Sequence, residues 1–179
     1  METVKITHIN ADYKDIRSLY ETAFPKEEQI PYNDLRYLLK RMPLDFTAYY
    51  DNDMFVGLTI VLERDDFNWF WYFAVKEELR GNGYGQQILT LLKEKYADKP
   101  LILDMESPEQ QCDNKEQRRR RHAFYLRNGF HDTYVGKSFA GIDYTILMLG
   151  DRQFTQMDYD NIIKELRYYW DNIPKEDEK

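Results

Sequence analysis

The sequence holds a single cysteine, Cys112, in 179 residues. One thiol cannot close an intramolecular disulfide, so the fold must rest on its core, and a reducing compartment is expected. No run of about 18 apolar residues occurs, so no membrane-spanning helix is expected. The chain opens Met1-Glu2-Thr3-Val4-Lys5, without a basic segment followed by an apolar one. A secretory leader is therefore not expected, and the protein is read as cytoplasmic. The three histidines, His8, His122 and His131, lack metal-ligand spacing. No Cys/His pair and no Gly-x-Ser-x-Gly elbow is present, so neither a metal nor a covalent nucleophile is expected to carry chemistry here. Positive charge is in deficit: 25 Lys and Arg against 32 Asp and Glu leave a net charge of −7. Such a surface repels phosphate backbones, which argues against a nucleic-acid partner, and it favours cationic molecules such as amines.

What is present is a folding composition, 42 % apolar and 16 % aromatic, with 15 tyrosines. A chain of this length can bury a core without staples. One domain over 1–173 is expected, followed by a charged tail at 174–179. The hydrophobic period then places the elements. A short strand covers 3–9. A helix follows, capped by Asp12 and running to about Phe24, with Ile16, Leu19, Tyr20 and Ala23 on one face. Pro25 and Pro31 bracket a link, and a second helix at about 33–41 is stopped by Pro43. Strands at 46–50 and 54–63 form a hairpin across Asp51-Asn52-Asp53. The strand at 68–75 is almost wholly apolar or aromatic and so is expected in the middle of a sheet. Strict alternation would put Phe70, Tyr72 and Ala74 on one face, and Trp69, Trp71 and Val75 on the other. A helix over about 83–97, a buried strand ending at Met105, a helix over 115–127, strands at 130–138 and 142–149, and a helix over 157–170 complete the chain. The 68–75 strand, its helix and the next strand read as a right-handed βαβ unit. The fold class is therefore α/β (α+β): a mixed sheet with helices on both faces.

The residues with most to say lie between the 68–75 strand and its helix: Arg80-Gly81-Asn82-Gly83-Tyr84-Gly85. Glycines let the backbone approach an anion, and the helix start offers unpaired N–H groups. No Gly-Lys-Ser/Thr follows, and Gln86 stands where a dinucleotide fingerprint needs its third glycine, so ATP and NAD are both disfavoured.

The run has the form Arg/Gln-x-x-Gly-x-Gly/Ala, and with its flanks from Ala74 to Tyr96 it resembles the central motif of the GNAT acetyltransferase superfamily. A second stretch, Ala123-Phe124-Tyr125-Leu126-Arg127-Asn128-Gly129-Phe130, resembles the family's later motif at Tyr125, Gly129 and Phe130. Ala23-Phe24-Pro25-Lys26-Glu27-Glu28 looks like members that open with Phe-Pro-x-x-Glu near the acceptor side. The resemblance covers roughly 46–149. It implies the GNAT fold, a mostly antiparallel sheet with a central splay, and acetyl-CoA as cosubstrate. By the same resemblance, Arg80, Gly81, Asn82, Gly83, Tyr84, Gly85 and Gln86 wrap the pyrophosphate, and the backbone of Phe73, Ala74 and Val75 pairs with the pantetheine arm. The Val75 N–H polarises the thioester carbonyl, and Tyr125 protonates the leaving sulfur. The sequence departs from the family in carrying Arg118 and Arg121 where many members have Asn and Ala, and Asn114 is then the candidate substitute.

For the arginine run 118–121, two readings stand: solvated charges paired locally with Glu116, or contacts from Arg118 and its neighbours to CoA phosphates. For the base, Glu106 at the end of Leu101-Ile102-Leu103-Asp104-Met105 is preferred as base or amine binder, ahead of Glu63 and Glu28. Glu106 as a plain loop carboxylate is the alternative. The aromatic run 69–73 reads either as core or as pocket lining. The expected reaction is transfer of acetyl to a primary amine, most simply a small molecule, by direct attack in a ternary complex. A protein or peptide N-acetyltransferase and a non-catalytic CoA-binding module are the alternatives. The assembly is expected to be a monomer or a homodimer.

Overall fold

The computed structural model describes residues 1–10 and 13–174. The expected cap at Asp12 and the tail beyond Pro174 lie outside the described residues. Within the described residues seven strands form one sheet, in the order β1-β2-β3-β4-β5-β7-β6. They are β1 (Glu2–Ile6), β2 (Leu44–Asp51), β3 (Met54–Leu62), β4 (Asn68–Val75), β5 (Leu101–Glu106), β6 (His131–Phe139) and β7 (Ile142–Leu149). Among the described residues, five helices accompany them: α1 (Lys14–Ala23), α2 (Tyr32–Leu38), α3 (Tyr84–Lys95), α4 (Lys115–Arg127) and α5 (Gln156–Asp171). A 3-10 turn at Glu77–Leu79 sits inside what the sequence read as loop. Every pairing is antiparallel except β4 with β5. No helix among the described residues is long and apolar enough to cross a membrane.

The sheet is covered on both faces. Ile16, Leu19 and Tyr20 of α1, Leu35 and Leu38 of α2, and Tyr159 and Ile162 of α5 share one buried cluster with Phe46, Leu58, Ile60 and Trp69. Ile88, Leu89 and Leu92 of α3 and Tyr125 of α4 share the other with Val56, Val61, Phe70 and Leu103. A continuous apolar strand such as β4 suits this sandwiching, since both of its faces meet helices. α5 begins in a complete capping box: Thr155 Oγ1 accepts from the Asp158 N–H, and the Asp158 carboxylate accepts from the Thr155 N–H. Two orphan donors of the helix start are thereby satisfied.

The middle of the sheet is irregular, and this positions the site. β4 and β5 pair only at Asn68↔Leu101 and Trp69↔Ile102. The β3–β4 register then slips between Ile60↔Tyr72 and Val61↔Phe70, leaving Trp71 as an extra residue. Such a bulge bends its strand and ends pairing on the far side. It also corrects the expected alternation. Trp69 shares its cluster with Tyr72 and Ala74, whereas Phe70 lies in the opposite one, with Phe73 and Val75 packed against it.

β3 approaches β4 closely at Gly57. A Cβ there would lie 2.4 Å from the Ala74 carbonyl oxygen. Gly57→Ala must push the two strands apart, an overpacking that costs about 1–3 kcal/mol. The expected result is a melting temperature lower by several degrees, at about 2–4 °C per kcal/mol for a domain of this size. Differential scanning calorimetry of the purified variant checks it.

Candidate active site

Among the described residues, no strand pairs with β4 on its β5 side beyond Trp69. The Lys76 N–H donates to Val56 O at 2.9 Å. Antiparallel alternation then turns the N–H and C=O of Phe73 and Val75 toward the open edge, not toward β3. The Val75 carbonyl receives Arg80 Nε at 3.2 Å. Thus Phe73, Ala74 and Val75, singled out in the sequence, form a sheet edge ready to accept an extended ligand.

The glycine loop follows at once. Gly81 and Gly83 both have left-handed backbones, with φ of +82° and +83°, and space around each is open. Gly83 caps α3 with no side-chain hydrogen bond. The first bond closing the helix runs from the Gln87 N–H to Gly83 O, so the N–H groups of Tyr84, Gly85 and Gln86 precede it. Asn82 Nδ2 donates to Leu79 O, and the Tyr84 hydroxyl donates to Asp51 Oδ2 at 2.8 Å, which pins the loop to the β2–β3 hairpin. Gln86 is held by Asn128. The loop therefore offers backbone donors at the positive end of a helix, a setting that fits the pyrophosphate of a CoA thioester.

The splay opens into a cavity of about 510 Å³. Its walls come from distant parts of the chain: Phe24 and Glu28 between α1 and α2, Phe70 to Phe73 of β4, Leu103 to Glu106 of β5, Tyr125 of α4, Lys137 of β6, and Tyr144 of β7. Tyr159, Ile163 and Arg167 of α5 line it too. Trp71 and Tyr72 reach it while also packing on the core, so both readings of the aromatic run hold at once.

Tyr125 is 7 % exposed, with its ring edge-on to Phe124 and Phe130. Its hydroxyl has no hydrogen-bond partner among the described residues. Burial pushes its pKa up to about 12, against a pull downward from Arg121. It therefore remains a proton donor across the neutral range.

Glu106 lines the same cavity, with both oxygens engaged. Oε1 accepts from Arg118 at 2.8 Å and Oε2 from Arg121 at 2.7 Å. Arg118 is 5 % exposed, and its other terminal nitrogen donates to Gln110. The arginine run is thus divided by helix geometry: residues three apart share a face. Arg118 and Arg121 turn to Glu106, while Arg120 pairs with Glu116 at 3.4 Å in solvent. Asn114 caps α4 without a side-chain cap bond, and its Oδ1 lies 3.1 Å from Cys112 Sγ. Asn114 and Arg118 are not among the cavity's walls.

Glu28 has a different environment. One of its oxygens accepts from the Tyr144 hydroxyl, and its backbone carbonyl accepts from Tyr72 at 2.6 Å. Burial raises the Glu28 pKa above the ordinary carboxylate range. Tyr144 and Arg121 work downward, and the negative fields of Glu106 and Asp104 work upward. Burial, and then Glu28 itself, also hold the Tyr144 phenol in its protonated form. The Phe-Pro-x-x-Glu stretch was the sequence signal for this carboxylate. Tyr144 and the pair Asp104–Lys137, 2.6 Å apart, carried no signal, because each depends on strand register. Glu63, the other candidate, faces Tyr96 at 3.4 Å and does not line the cavity.

The sequence pattern of the acetyltransferase (GNAT) domain matches residues 44–132, a span that contains β2 to α4 and both motifs. The chain belongs to the GNAT acetyltransferase superfamily. Its fold is that of solved acyl-CoA N-acyltransferases. A GNAT-family protein from Bacteroides thetaiotaomicron superposes with a TM-score of 0.78 at 24 % identity, over 97 % of this chain and 100 % of its own. An aminoglycoside 6'-N-acetyltransferase complexed with coenzyme A gives 0.65 at 16 % identity, over 85 % and 99 %. The ribosomal-protein-S18-alanine N-acetyltransferase of Escherichia coli gives 0.58 at 14 %, over 86 % and 99 %. No curated protein matches by sequence.

Proposed function

We propose that the protein transfers acetyl from acetyl-CoA to the primary amine of a small molecule, by direct attack within a ternary complex. The observation that carries this reading is the junction of three features. These are the unpaired edge of β4 at Phe73–Val75, the glycine loop that begins five residues later, and a half-open cavity lined by Tyr125. Arg80 to Gln86 receive the pyrophosphate, and the β4 edge receives the pantetheine amides. The Val75 N–H stabilises charge developing on the thioester oxygen. Tyr125 gives its proton to the departing sulfur. Glu28 takes a proton from the amine, directly or through a water. Glu106, held by Arg118 and Arg121, fixes α4 against β5 and so positions Tyr125, while Asn114 and Arg118 support the α4 start beside the ligand. A cavity of this volume is of small-molecule size, which favours a free amine over a folded protein as acceptor.

The test is thermal unfolding with and without acetyl-CoA. Free ligand at about 100 times Kd stabilises the native state by about 2.7 kcal/mol. Gly83→Val forces a β-branched residue into the left-handed region, at a φ of +83°. The expected result is an upward shift of several degrees in wild type that is lost in Gly83→Val. No shift at millimolar acetyl-CoA would remove the reading.

A further inference from the structure

The acceptor cavity already contains an ammonium group of its own. Lys137 Nζ lies 2.6 Å from Asp104 Oδ2, 4.7 Å from the centre of the Tyr144 ring and 5.3 Å from that of Tyr159. A carboxylate beside aromatic faces is the usual chemistry of an alkylammonium subsite. Here that subsite is filled from within the chain, by side chains only 26 % and 14 % exposed. Burial opposes the charge on Lys137, but Asp104, with help from Tyr159, outweighs it and keeps the lysine cationic. Glu106 is likewise committed, to two arginines. Among the described residues, two carboxylates that line the cavity lack a cationic partner: Glu28, half-buried, and Glu27, exposed at its mouth. On the α5 wall, Arg167 is exposed, lines the cavity and has no carboxylate partner among the described residues.

These charges define what the far end of an acceptor meets. With Glu28 given to the reacting amine, a second ammonium would find only the exposed Glu27 uncommitted and would face Lys137, Arg121 and Arg167. An anionic group would find Arg167. We infer that the acceptor is an amine that also carries a carboxylate, an amino-acid-like molecule, with Lys137 excluding diamines and Arg167 receiving the acid. This rests on the acetyltransferase reading above and names its substrate class.

The experiment measures acetyl-CoA-dependent thiol release with matched acceptors. Linear ω-amino acids are compared with diamines of the same chain length, and phenylalanine with phenethylamine. The expected result is a kcat/KM for the best amino acid at least about tenfold above its partner that lacks the acid. Arg167→Gln raises the KM for that amino acid about fivefold and erases much of its advantage. Lys137→Met raises turnover of the diamine. Should loss of the Asp104 partner unfold that variant, the exposed Arg167→Gln carries the test. Diamines turned over as well as or better than the amino acids by wild type would overturn the inference. So would an equal rise in KM for both partners in Arg167→Gln. If no amine is acetylated although acetyl-CoA raises the melting temperature, this inference falls and of the reading above only the acetyl-CoA site stands. If acetyl-CoA gives no shift either, the acetyltransferase reading falls and takes the inference with it.

Discussion

Tyr125→Phe lowers kcat for acetyl transfer by about 10²–10³-fold, the usual worth of a positioned general acid. The change removes one oxygen and keeps the ring, so the contacts to Phe124 and Phe130 survive. The hydroxyl has no partner among the described residues, so its loss leaves no donor or acceptor unsatisfied inside the protein. The melting temperature is therefore expected to stay at the wild-type value, and so is the shift produced by acetyl-CoA. Steady-state kinetics beside thermal unfolding separate chemistry from binding and from stability. Because burial places the phenol near a pKa of about 12, no loss of rate through its ionisation is expected between pH 6 and pH 10, an interval well below that value. A Phe variant with wild-type kcat would end the general-acid role.

Glu28→Gln gives the second large effect, a fall in kcat/KM of about 10²-fold. The amide keeps an oxygen that accepts from Tyr144, so the variant is expected to fold. The pH dependence is the sharper measurement. A base works only when deprotonated, so the wild-type rate falls as pH drops through the Glu28 pKa. Burial puts that acid limb above the ordinary carboxylate range. Four neighbours set its position: Tyr144 of β7 and Arg121 of α4 lower it, and Asp104 and Glu106 of β5 raise it. Tyr144→Phe removes a hydrogen bond that favours the charged form, so the limb moves to higher pH. Glu28→Gln abolishes the limb altogether. A limb that persists unchanged in Glu28→Gln would assign the base elsewhere, with Glu106 next to be replaced.

Much of the fold was legible because its signals are local. β4 was bounded at Asn68 and Val75 by its apolar run and polar flanks, and α4 by Asn128-Gly129, and both bounds coincide with the observed elements. The glycine loop was legible for the same reason. Left-handed φ values and a helix start are decided within six residues, and the residues that permit them are few in type. β2 begins at Leu44, earlier than its aromatic core suggested, because Leu44↔Leu62 and Asp45↔Val61 extend the ladder through pairing that composition does not display. α4 shows the opposite case. Its sequence has no apolar stripe, yet it docks by burying Arg118 beside Tyr125, and the burial of Arg118 is possible because Glu106 and Gln110 receive the guanidinium.

Sequence alone placed a strand, a glycine-rich turn and a helix start in that order, the local arrangement on which the proposed anion site depends. It also named Tyr125, through the resemblance of Tyr125, Gly129 and Phe130 to the family's later motif. Which groups surround the acceptor was decided by tertiary structure. The bulge at Trp71 flips the parity of β4, and the splay it helps create admits Glu28 from one end of the chain and Arg167 from the other. Two crossings of the sheet bring Lys137 onto Asp104. Charges from residues so far apart in sequence acquire their partners only when the strands take their register. An ion pair is worth something only at a few ångströms, and no periodicity along the chain encodes that distance.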